Sequence, residues 1–252
     1  MTTGREGVAR KSAVSKAIYT RHIRLYRYLN DAWIFTSLLR PELKTRADKL
    51  QTSKSKAKKP YPVPKRKGTV TSRRRDEDIG LIFYAQHERG VFETNIVSMV
   101  SRVEAFIQDC IAIAASTFPA KLSVLADKSG IPLDLFLEHE DRDDVIRRFV
   151  ALKCEGLMFG KPSEYLDKAA KVLSIELEPE TVRAFIEIKA SRDIIIHNSG
   201  LINKLYVEKA GEKRRGEAGE ELIIDDAYFR HVIVTLKALA GAIQSKTEAV
   251  YK

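Results

Sequence analysis

Between residues 10 and 39, apolar residues such as Ile18, Leu25, Leu29, Trp33 and Leu38 recur at intervals of about three and four among basic ones. That spacing predicts an amphipathic helix, and Pro41 is expected to end it, because the residue before a proline disfavours helical backbone. Residues 44–75 carry few large apolar side chains and are broken by Pro60, Pro62 and Pro64. Such a stretch cannot offset its ordering entropy by burial, so a flexible or extended linker is predicted. From Asp76 the helical period returns. Residues 79–117 are expected to form one long helix with a break near Gly90, its stripe running through Ile96, Val100, Val103, Ile107, Cys110, Ile111 and Ala114. Pro119 ends that unit. A short helix at 120–127, a connector around 133–137, and helices over about 141–158, 162–173, 181–197 and 226–249 follow. Glu178-Pro179-Glu180 suits the first turn of the 181–197 helix, and Gly200 its stop. The strand candidates lie at 204–224, where Leu205-Tyr206-Val207 and Leu222-Ile223-Ile224 flank a Gly-rich tip. The pattern predicts an all-α fold: a bundle of four to five main helices with a small β-hairpin or loop insertion. The chain divides into a basic N-terminal helix and flexible linker (1–75) and a helical domain (76–252).

Charge sharpens that division. Residues 1–75 hold 21 Lys/Arg against 4 Asp/Glu, a net of +17, while residues 76–252 hold 23 against 30, a net of −7. A basic arm on a mildly acidic body points to a polyanion partner, or to a solvated tail that aids solubility. Tyr19, Tyr26, Tyr28 and Trp33 either stack on RNA or pack the first helix onto the body. No apolar run approaches the ~20 residues that span a bilayer, and no apolar segment follows the basic N-terminus. Cys110 and Cys154 lie in apolar helical stretches and are expected to be buried thiols of a cytoplasmic protein. No CxxC pair or His/Cys cluster has zinc-site spacing. His139 lies among Glu138, Glu140 and Asp141, a candidate metal cluster or an acidic helix start. No cofactor is implied. His22 and His87 are expected at the surface, and His231 at a packing interface.

Candidate chemistry concentrates in Arg192-Asp193-Ile194-Ile195-Ile196-His197-Asn198-Ser199-Gly200. On a helical wheel, Asp193 and His197 lie about 40° apart and share a face. Phe185, Ile188, Ile195 and Ile196 form a stripe expected to face the core, with Arg192 in its middle. An arginine there needs an inward-facing carboxylate. Glu104, beside the stripe of the 93–117 helix, is the best candidate; Glu187 is the local alternative.

This segment, continuing through Asn203 and Tyr206, resembles the long form of the Arg-x4-His motif of prokaryotic HEPN ribonucleases. Residues 95–107, with Glu104 and Phe106, resemble the preceding family helix. The resemblance covers roughly residues 79–248, and Asp193 stands where the family often has Asn. It implies a HEPN-like helical bundle and a metal-independent endoribonuclease, with RNA as substrate and no cofactor. It implies a homodimer whose motif helices form a composite active site. His197 would act as general base or acid, Arg192 would bind the scissile phosphate, and Asp193 would orient His197. The products would carry 2′,3′-cyclic phosphates, in a toxin–antitoxin or antiviral defence setting with an antitoxin or defence-complex partner. Asn198 would donate to phosphate or partner; as a residue at a helix end it serves equally as a cap. The alternative class is a noncatalytic helical module for RNA binding or dimerisation, with Arg192 only an ion-pair partner and His197 a helix-terminal histidine.

Overall fold

In the computed structural model the described residues are 2–125, 132–138, 141–158 and 160–252, with side chains described from residue 8 onward apart from those of residues 136 and 138. The fold is mostly helical, and most of its helices share one apolar core. Helix α1 (Thr2–Gln51) is a 50-residue rod. Its stripe of Val14, Ile18, Leu25, Leu29 and Ala32 lies in the same core as the body, so the arm is not a separate unit in packing.

Contrary to expectation, α1 runs through Pro41. A mid-helix proline costs about 3 kcal/mol in an isolated helix, and tertiary contacts offset that here. The Arg40 carbonyl lies 2.9 Å from His87 Nδ1. The Arg40 side chain donates to the His87 carbonyl (2.8 Å) and to Asp226 (2.6 Å). Further on, Ala47 packs against Gly80, where a Cβ would come within 3.2 Å of the Ala47 carbonyl.

Part of the expected linker has regular structure. Strands β1 (Lys59–Pro64) and β2 (Thr69–Arg74) form an antiparallel hairpin. Its base is fastened by Asp76, which accepts from Lys59 Nζ at 2.6 Å and Ser53 Oγ at 2.8 Å. Conversely, the predicted strand at 205–207 is helical: it lies in α9 (Lys204–Ala210), capped by Asn203 Oδ1 accepting from the Tyr206 amide. Among the described residues no strand forms within 204–224; Glu221 makes one isolated bridge, to Leu201.

Helix α2 (Asp76–Ala85) passes through a π-helical turn (Gln86–Gly90) into α3 (Val91–Thr117), the central helix. A 3₁₀ turn (Pro119–Lys121) leads to α4 (Leu122–Leu125). Next come α5 (Leu133–Glu138), where a connector was expected, α6 (Arg142–Met158) and α7 (Pro162–Leu173). Helix α8 (Pro179–His197) bears the motif, and α10 (Asp226–Val250) closes the bundle. Ala184, Phe185, Glu187, Ile188, Ala190, Ser191 and Ile194 of α8 are buried, whereas Ile196 is 46% exposed. The buried face is therefore rotated from the apolar stripe. Glu187 and Ser191 lie inside it because partners satisfy them: the Glu187 carboxylate accepts from Ser191 Oγ (2.6 Å), Tyr206 Oη (3.0 Å) and Tyr228 Oη (3.2 Å).

Candidate functional site

Rotation of α8 leaves Arg192 at the edge of the buried face, on the wall of an open cleft of 680 Å³ between α3, α7, α8 and α9. Its Nη2 donates to Glu104 Oε2 at 2.5 Å, the expected inter-helix pair. Glu187 is not its partner. Glu104 also accepts from Tyr165 Oη at 3.2 Å, and burial drives the Tyr165 hydroxyl far above the usual phenol range. Arg192 and Glu104 side chains are 15% and 13% exposed. Arg192 Nε is buried without an acceptor.

Asp193 is held by cations. Lys189 Nζ donates to it at 2.7 Å, Arg192 Nη1 lies at 3.1 Å and Lys209 Nζ at 3.7 Å. Lys189 also lies 3.8 Å from Glu104. No hydrogen bond or ion pair among the described residues joins Asp193 to His197. The cleft wall carries Lys161, Lys189, Arg192 and Lys209 against Glu104, Glu164 and Asp193, so it is only slightly cationic. The sequence pattern did not single out Lys161, Lys189 or Lys209. Lys189 was legible as a residue four before Asp193; Lys161 and Lys209 reach the cleft from distant segments and leave no local signal.

His197 closes α8 and is exposed. It lies five residues beyond Arg192, about 7.5 Å along the axis and 140° around it, and does not line the cleft. Asn198 is the C-cap residue, and its side-chain amide donates to the Leu201 carbonyl at 2.5 Å. Ser199 (φ 50°) and Gly200 (φ 76°) turn the chain away, and the Gly200 amide donates to the Ile194 carbonyl. Arg89, from the π-helical turn, lies against Gly200 and pairs with Glu93 and Glu221. It is a second guanidinium near the end of α8 that spacing did not reveal.

His22 and His87 are less exposed than expected. His22 is half-buried between Tyr26 and Phe106, and burial lowers its pKa. His87 is half-buried against Arg40, and His231 is exposed beside Tyr228. His139 lies outside the described residues. Among the described residues, no group of three or more His, Cys, Asp or Glu is placed to hold a metal ion, and no helix is long and apolar enough to cross a membrane. The α1 aromatics divide: Trp33 stacks on Phe229 and Tyr28 bonds Ser98, while Tyr19 is half exposed and Tyr26, 40% exposed, lies against His22 and Lys237. The chain matches no family model, no curated protein and no solved structure.

Proposed function

We propose that the chain is a HEPN-type endoribonuclease that cleaves RNA without a metal, through Arg192 and His197. The observation that carries this reading is the division of labour along α8: a guanidinium on the wall of an open cleft, and an exposed imidazole at the helix end. A histidine titrates near neutrality and can take the 2′-hydroxyl proton or deliver one to the leaving 5′-oxygen. A guanidinium can hold the phosphate and stabilise the charge that develops on it.

Because Arg192 and His197 face different directions on one helix, a working site takes them from two copies. Supporting this, Ile196, Leu201 and Leu205, close to His197 in the chain, and Ile223, two residues past the Leu201–Glu221 bridge, are 46–67% exposed. Exposed apolar surface of this kind suits a second protomer. Asp193 acts as a counter-charge to Arg192 and the lysines. The test is RNA cleavage by wild type, Arg192→Ala and His197→Ala, each with its melting temperature. Both variants should lose cleavage while staying folded. Full activity in either folded variant would remove that residue from the site.

A further inference from the structure

The hairpin 59–74 is the most one-sided part of the molecule in charge. Residues 52–75 include ten Lys/Arg and no Asp/Glu. Among the described residues, only Lys59 of these ten has a carboxylate partner, Asp76. The rest are exposed. The register sets them on every side. Lys59 and Arg74 face each other on one face, Arg73 lies on the opposite face, and Lys65, Arg66 and Lys67 form the tip, turned by Gly68 at φ 80°. Two like charges directly opposed in a ladder are unfavourable. Keeping such a pair where Asp76 neutralises only Lys59 leaves strong attraction for an external anion.

The same register explains the three prolines. The Lys65 amide donates to the Gly68 carbonyl, so the odd-numbered positions of β1 make the inter-strand bonds. Pro60, Pro62 and Pro64 then fall where amides would point outward. The outer edge of β1 therefore has no donors for another strand, which disfavours capture of an extended peptide. The tip has no apolar side chain to insert into a bilayer. Six-residue strands span about 17 Å, so the tip and base cations fit successive phosphates of one polyanion rather than a single ion.

We propose that this hairpin is a docking element for the RNA backbone, holding phosphates by charge without reading bases. It rests on the reading that RNA is the ligand, and it gives the arm a task separate from cleavage. The helix from Asp76 to Arg89 spans about 20 Å, which is the distance from the hairpin base to the residue lying against Gly200 at the His197 end of α8. RNA held on the hairpin could thus extend to that end of the bundle.

The experiment measures binding of a labelled single-stranded RNA to the full chain carrying His197→Ala, with affinity followed against salt. One triple variant carries Lys65→Gln, Arg66→Gln and Lys67→Gln. A charge-matched control carries Lys11→Gln, Lys16→Gln and Arg27→Gln on exposed positions of α1, at least about 36 Å from the hairpin end of that helix. The tip variant should bind at least tenfold more weakly, with a salt slope smaller by about 2, or about 0.7 for each phosphate no longer neutralised. The control should stay within about threefold. Equal weakening in both, no weakening in the tip variant, or binding only to anionic lipid vesicles would each overturn the proposal. Tip-dependent binding by a chain whose wild type fails to cleave RNA would uphold the hairpin and remove the ribonuclease.

Discussion

Glu104→Ala is the perturbation that most directly tests how the cleft is held. The pair it breaks is 15% and 13% exposed, and its carboxylate also serves Tyr165 and lies near Lys189. Removing one partner of a buried pair costs about 3–5 kcal/mol. Arg192 keeps Asp193 at 3.1 Å and opens onto the cleft, so its charge is not stranded. A loss of about 2 kcal/mol is therefore expected, roughly 4–8 °C in melting temperature for a chain of this size. Arg192→Ala should cost less, because Glu104 retains Tyr165 and gains water. Urea unfolding followed by circular dichroism on both single variants and the double variant would give a coupling energy of about 1–2 kcal/mol. Glu104→Ala within about 0.5 kcal/mol of wild type, with negligible coupling, would refute the pair as the clamp between α3 and α8.

Three further outcomes follow from buried groups and backbone. Burial raises the Glu187 carboxyl above the ordinary range despite its hydrogen bonds. A folded pKa above the unfolded value of about 4.3 means the stabilising contribution is full below that pH and is lost as pH rises through the folded value; Glu187→Gln should flatten this decline in urea midpoints, and an unchanged wild-type-minus-variant difference across pH would contradict it. Burial pushes the Cys154 thiol up to about 11 and Cys110 higher still, so neither should react with a disulfide reagent at mildly alkaline pH until denaturant is added. Rapid labelling of the native protein would overturn that. Gly200→Ala imposes a left-handed conformation on a residue with a Cβ and drives that Cβ into Arg89; a loss of about 1–3 kcal/mol is expected by thermal melting, and a neutral effect would contradict the packing.

Sequence legibility tracked how local each determinant is. The bounds of α7 and α10, expected at about 162–173 and 226–249 from Pro162 and apolar periodicity, are Pro162–Leu173 and Asp226–Val250 in the structure. Pro41 misled because contacts from His87 and Asp226, distant in the chain, hold the helix across it. The hairpin escaped notice because β1 is proline-rich and both strands are exposed, so neither shows alternation between apolar and polar residues. Leu205-Tyr206-Val207 is β-prone but is capped into a helix by Asn203. At the site, the Arg192–Glu104 pair was legible because an arginine within an apolar stripe demands a carboxylate. The true buried face of α8 was not, since it includes Glu187 and Ser191, whose partners come from α9 and α10.

The central claim is that Arg192 and His197 cleave RNA by 2′-hydroxyl attack. Its most direct test is the end-group chemistry of RNA incubated in EDTA with wild type and with His197→Ala. Fragments ending in 2′,3′-cyclic phosphate from wild type alone are the expected result. Equal cleavage by both proteins, or no cleavage by either, would contradict the claim.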